Sequence, residues 1–206
     1  MKNIDIDTKI INSAIKTVNS AMNDANVHAV SDKTKDFVSK VINSSTEVID
    51  NFLKTRTQKI QTRDTASKLY RYENVILCRA DGRTSYNLEQ NLNQVKEFGI
   101  APRFVHYFEL GRDDFLTIME ISDKNLVPYY QAADKVPEKV KQEFVSNVKN
   151  LYQNKHIVNK ELFANKDGLF VSEDTGNIVY ADWNQIHFLS PEDKKGMAGF
   201  IKDWHI

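Results

Sequence analysis

The sequence predicts an α+β fold: a five-stranded antiparallel sheet carrying one helix, a helical region after it, and a helical extension before it. Three observations carry this. Between about residues 57 and 122 the apolar pattern runs as short alternating strands, interrupted once by a helical stripe over Ser85–Phe98. After Pro128 the helical period returns over Pro137–Asn154. Residues 1–56 contain neither Gly nor Pro, and their apolar residues recur at helical spacing. The organisation read from these changes is a helical extension over 1–56, a sheet region over 57–122 and a smaller helical region over 123–206.

Composition narrows the function classes. Basic and acidic residues balance at 28 each, which gives no bulk attraction to nucleic acid or to an anionic membrane. The single cysteine, Cys78, excludes an internal disulfide and a cysteine-built metal site. No apolar run approaches the ~18–20 residues of a membrane span. The start, MKNIDIDTK, has no apolar core of a cleavable secretory signal. The expectation is a chain folded in a cytosol, or exported by a route that needs no such signal.

The elements follow in order. Two amphipathic helices are expected near 7–22 and 31–55, with a gap in the apolar pattern at Ser44–Ser45 and Ser31 or Asp32 as the cap of the second. Strands are expected over Lys59–Arg63, Lys68–Tyr72 and Val75–Ala80, with turns at Asp64–Ser67 and Glu73–Asn74. The helix Ser85–Phe98 stops at Gly99, and its stripe is Leu88, Leu92, Val95 and Phe98. Arg103–Leu110 and Phe115–Ser122 complete the sheet. Asp123–Val127 reads as a polar connector and Tyr129–Ala133 as a helical turn. Pro137–Asn154 buries Val140, Phe144, Val148 and Leu151, and Pro191–Trp204 closes the chain as a helix.

Residues 156–187 hold the densest chemistry. A strand over Leu169–Ser172, a turn at Glu173–Asn177 and a strand over Ile178–Ala181 form a hairpin. The hairpin returns the chain to its starting edge, so Glu161, Asn165, Asp167 and Asp182 approach one place. Converging oxygen groups beside a strand end suit a hard cation carrying a phosphate ester. The five histidines show no metal-ligand spacing, no G-x-S-x-G elbow is present, and Cys78 reads as a buried apolar residue.

This order of elements, with NLEQNLNQVKEFGIAPRFV and GNIVYADW as its best-matching stretches, resembles the protein-kinase-like fold over roughly residues 57–190. The end of the sequence 24 residues after Asp182 is similar to the minimal kinases that pathogenic bacteria inject into host cells. The resemblance implies a two-lobed fold, ATP and Mg²⁺ as cofactors, and a host protein as partner or substrate. It makes Asp182 the metal-binding Asp of a DFG-type motif, Glu161 of IVNKELF the catalytic base, and Asn165 or Asp167 a second metal ligand. Glu89 takes the place of the helix Glu. Its usual Lys partner falls on Leu77, Cys78 or Arg79; Arg79, the only cation among them, is then expected to pair with Glu89 and touch the cofactor's phosphate. No glycine precedes Gly82 to form a phosphate-covering loop. Three of the usual chemical parts are thus absent or substituted, which implies a degenerate catalytic set. The expected function is a kinase-fold effector acting on a protein partner. The alternatives are an active atypical protein kinase and an adaptor with no nucleotide site.

Overall fold

The computed structural model describes residues 30–61, 67–121, 125–159, 162, 166–184, 186–188, 195–196, 198–199 and 202. The helix expected near 7–22, the turn at 64–66, Glu161, Asn165 and most of Pro191–Trp204 lie outside the described residues. The chain divides into two compact units, Met1–Thr55 and Arg56–Ile206.

In the first unit, the helix expected over 31–55 is two helices, α1 (Asp32–Ile42) and α2 (Thr46–Thr55). The break has a local cause. The Asn43 amide donates to the Ser39 carbonyl at 2.7 Å and the Ser44 hydroxyl to the Lys40 carbonyl at 2.8 Å, so short polar side chains compete with the helical ladder. Ser31 caps α1 by accepting the Thr34 N–H, and Phe37 packs against Phe52 across the turn at 5.6 Å between ring centres. Val38, Val41, Ile49 and Leu53 are buried.

The second unit is α+β. Its main sheet contains β1 (Gln58–Ile60), β2 (Ser67–Tyr72), β3 (Val75–Ala80), β4 (Arg103–Gly111) and β5 (Asp114–Glu120), all antiparallel, in the order β1-β2-β3-β5-β4. Helix α3 (Gly82–Val95) joins β3 to β4. It begins three residues before the expected Ser85, because Asp81 caps it by accepting the Thr84 N–H at 2.7 Å. That hydrogen bond holds the Asp81 carboxyl below its ordinary value. Gly99 ends the segment in the left-handed conformation, at φ 66°.

The register sets which side chains share a face. Leu69 pairs with Cys78 and Cys78 with Thr117, while Ile76 pairs with Met119. Alternation therefore puts Leu69, Ile76, Cys78 and Met119 on one face and Leu77 and Arg79 on the other. The first face meets Leu88, Leu92 and Val95 of α3. The same core continues into Phe144, Val148 and Leu151 of the long helix α5 (Glu138–Lys155), and to Leu169, Tyr180 and Trp183.

Between the sheet and α5 lie β6 (Leu126–Pro128) and the short helix α4 (Tyr129–Ala132). The stretch expected as a connector is partly a strand, because β6 pairs with β8 (Leu169–Ser172), which pairs with β9 (Ile178–Tyr180). Gly176, at φ 70°, turns the hairpin, and its N–H donates to the Ser172 carbonyl at 2.8 Å. Two further short strands, β7 (Ile157–Val158) and β10 (His187–Phe188), pair antiparallel. They have too few residues to leave a periodic signal. Among the described residues no helix is long and apolar enough to cross a membrane.

Candidate functional site

β3 decides the first question. Alternation turns Cys78 inward, under α3, and Arg79 outward. The Arg79 guanidinium grips Asp114, with Nε at 3.0 Å from Oδ1 and Nη2 at 2.6 Å from Oδ2. A forked contact of this kind uses the planar geometry of arginine fully. The strand position facing the site is therefore filled by a thiol.

Glu89 is half-buried on α3, and burial pushes its carboxyl above the ordinary range. It makes no ion pair to Arg79 among the described residues. A different α3 residue reaches the site. Asn91 is buried, and its Nδ2 donates to the Trp183 carbonyl at 2.8 Å and the Asn184 carbonyl at 3.2 Å.

Those carbonyls follow Asp182, which leaves the end of β9 and is 2% exposed. Three local contacts fix this segment. The Ala181 N–H donates to the Gly168 carbonyl at 2.8 Å. Gly168 is required there, because a Cβ on it would stand 2.7 Å from the Tyr180 ring. Trp183 is fully buried, edge-on to Tyr180, with its indole N–H donating to the Tyr180 carbonyl at 2.7 Å. From the opposite side the buried Asn159 amide donates to the Asp182 carbonyl, while its Oδ1 accepts the Leu162 N–H at 3.3 Å.

The Asp182 carboxylate faces Asn184. Asn184 Nδ2 donates to Asp182 Oδ1 at 2.8 Å and to Ser67 Oγ at 2.7 Å. The Asn184 backbone N–H also points to Asp182 Oδ1, at 3.4 Å. The Cys78 thiol lies 3.5 Å from Asn184 Oδ1, as a weak donor. One asparagine thus connects β2, β3, α3 and the aspartate.

Asp167 sits in different surroundings. It lies on a single 3₁₀ turn, Lys166–Gly168, and is exposed. It lines a cavity of about 260 Å³ together with Lys59, Arg71, Pro128, Tyr130 and Phe170. Arg71 Nη1 donates to the Leu126 carbonyl at 2.8 Å, and burial pushes the guanidinium below its ordinary value. Tyr130 is 60% exposed at the rim. The cavity lies between β1, β6 and β8, close to the lower limit of pockets that hold small ligands.

Sequence reasoning missed Asn91, Asn184 and Ser67, and gave Asn159 no role of its own. One signal was present: Asn91 interrupts the apolar stripe of Leu88, Leu92 and Val95, and a polar residue at a core position must find a partner. Asn184 and Ser67 carry no such mark, because they meet each other across 117 residues of sequence.

Of the residues that the resemblance assigns to a divalent cation and its chemistry, Asp182 and Asp167 are described, and Glu161 and Asn165 lie outside the described residues. Asp182 Oδ1 already receives both a side-chain and a backbone N–H from Asn184. The inward position on β3 supplies no charge. Among the described residues, the arrangement ties its own segments together through neutral amides, a hydroxyl and a thiol.

No protein-family model and no curated protein matches the chain. Solved structures do. One is WaaP in complex with acyl carrier protein, 14% identical, covering 76% of this chain and 71% of that one, with a TM-score of 0.44. Another is the Cydia pomonella granulovirus kinase PK-1, 12% identical, covering 74% of this chain, with a TM-score of 0.41. The chain spans 58% of that kinase's length. The architecture itself is α+β: five antiparallel strands with one helix between the third and fourth, a linking strand, a long helix, and a hairpin that ends at an aspartate.

Proposed function

We propose that this chain is a kinase-fold domain with a degenerate catalytic set that acts by binding a protein partner, with nucleotide binding as a secondary property. The observation that supports this is the cluster at Asp182. Phosphoryl transfer is driven by metal ions, a point-charge cation and backbone amides over the phosphates. In the matching places stand the Asn184 amide, the Cys78 thiol and a segment before Gly82 that contains no glycine. The resemblance to minimal bacterial kinase effectors supports a host protein as the partner and export from the bacterial cytoplasm as the route to it.

A second reading is an active, atypical ATP-dependent protein kinase. It would use Glu161 as base and Asp182 with Asn165 or Asp167 toward Mg²⁺. The cavity beside β1 and β6 favours it, being an opening with two cations and an aromatic rim.

Two measurements on the full chain separate the readings. Incubation with radiolabelled Mg-ATP and mixed protein acceptors is expected to give no transfer above an Asp182→Asn control. Transfer that the variant loses would overturn the proposal in favour of the second reading. Thermal unfolding with millimolar ATP reports nucleotide binding by mass action, whether or not transfer occurs.

A further inference from the structure

Arg71 puts a cation on the core face of β2. Leu69, two residues earlier, is fully buried, and so is Ile76, which pairs with Arg71 from β3. Alternation turns the Arg71 side chain to the same side as Leu69, where it meets the cavity that Pro128 and Phe170 also line. Burial there pushes the guanidinium below its ordinary value. Among the described residues the guanidinium has one hydrogen-bond partner, the neutral Leu126 carbonyl, and no carboxylate pairs with it. A guanidinium carries several N–H donors in a fixed fork, so most of them remain for a ligand. A half-buried cation answered only by a carbonyl attracts an anion more strongly than a solvated one, because less water competes for it. Lys59 and Asp167 are the other charged residues among those lining the cavity, so its described lining carries one positive charge net.

We propose that this cavity receives an acidic side chain of a protein partner, with the carboxylate forked onto Arg71 and Lys59 adding charge. The inference deepens the partner-binding reading given above and rests on it. The planar fork of arginine matches a carboxylate with two parallel hydrogen bonds. A single net charge suits one carboxylate and leaves most of a triphosphate's charge unanswered. At about 260 Å³ the space takes a side chain and its adjoining backbone. The buried Pro128 and Phe170 give apolar surface to the stem of that side chain. Two further groups favour a protein over a free small carboxylate. Tyr130, 60% exposed at the rim, is an aromatic of the type enriched where proteins meet. The exposed Gln58 amide, opposite Arg71 on β1, offers hydrogen bonds to a peptide backbone.

The probes are the capped peptides acetyl-Ala-Glu-Ala-amide and acetyl-Ala-Gln-Ala-amide, titrated into the full chain and read by NMR shifts of the Gln58 and Tyr130 amides. The glutamyl peptide is expected to shift them with an affinity at least ~10-fold above that of the glutaminyl peptide. Arg71→Gln, which removes the cation, is expected to bind the two alike. Arg71→Lys keeps the charge without the fork and is expected to retain only part of the preference. Equal binding of the two peptides by wild type, binding of neither up to tens of millimolar, or a preference that survives Arg71→Gln would overturn the inference. If Arg71→Gln does not fold, an undiminished preference in Arg71→Lys overturns it in the same way. Propionate supplies the carboxylate alone. Propionate binding as tight as that of the glutamyl peptide would overturn the assignment to a protein partner. These titrations involve no phosphoryl transfer. Failure of the glutamyl preference defeats this inference and leaves the partner-binding reading standing, whereas transfer that depends on Asp182 defeats both.

Discussion

The cluster at Asp182, a closed end, and the cavity beside β1, an open one, are built differently. At Asp182, the side chains of Ser67, Cys78, Asn91, Asn159 and Asn184 are spent on one another or on the backbone of residues 182–184, and all are buried. Beside β1 and β6, Lys59, Arg71, Tyr130 and Asp167 line open space. The closed end is a structural joint between sheet and hairpin, where loss of a group leaves a buried partner stranded. The open end lines a cavity, and the exposed Lys59 there can be lost without stranding a buried group. Charge follows the same division. At the closed end one oxygen of Asp182 meets the Asn184 amide, and at the open end Lys59 and Arg71 line a cavity.

That contrast sets the order of the mutational effects. Trp183→Ala removes a fully buried indole beneath the closed end and its hydrogen bond to Tyr180, and is expected to cost about 3–5 kcal/mol of stability in urea denaturation. A cost under about 1 kcal/mol would mean that the joint is not where the core is anchored. Asn91→Ala strands two buried carbonyls, and should cost about 2–3 kcal/mol by the same measurement, with faster amide exchange along α3.

Glu89→Gln should act in the other direction. Burial raises the folded-state pKa of Glu89 above its unfolded value of about 4.3, so the folded chain holds that proton more tightly. The resulting stability is fully present below the unfolded pKa and is lost as pH rises through the raised folded pKa. At neutral pH the ionised carboxylate is a burden, and the amide is expected to stabilise the chain. Solvent screening at this half-exposed site keeps the gain below about 1 kcal/mol. Stability curves from pH 4 to 8 check it, with the variant flatter than wild type across the lower part of that range. At the open end, Lys59→Ala should change stability by no more than about 0.5 kcal/mol while weakening any ATP-induced rise in Tm. A large loss of stability there would erase the difference between the two ends.

Much of the frame was legible in the sequence, and the reasons are local. Val75–Ala80 and Leu169–Ser172 were readable to the residue, because apolar runs end at turn residues, Glu73–Asn74 and Asp81 in one case and Glu173 in the other. The antiparallel five-strand sheet with one helix followed from the change of period. The start of α3 was misplaced because Asp81–Gly82 reads equally as the end of a strand and as a cap. β6 was read as connector because three residues have no period; its pairing with β8 is a tertiary fact. At the site, Asp182 was conspicuous as an acid just past a strand. The side of β3 that faces it was left open among Leu77, Cys78 and Arg79, since alternation gives two faces and only the packing of α3 says which is inner. Arg79 attracted notice as a cation, and its partner Asp114 lies in the turn-proximal end of β5, 35 residues on. The groups that close the site are neutral amides and a hydroxyl, which carry no motif and no charge pattern. They are recognisable only by what they touch.

The closed end depends on Asp182 being held by the Asn184 amide. A double-mutant cycle of Asp182→Ala and Asn184→Ala, read by urea unfolding in EDTA and again in millimolar Mg²⁺, tests it most directly. The structure predicts a coupling of about 1.5–3 kcal/mol, the range of a hydrogen bond to a charged group, identical in the two buffers. A coupling near zero in EDTA, or one that appears only with Mg²⁺, would contradict it.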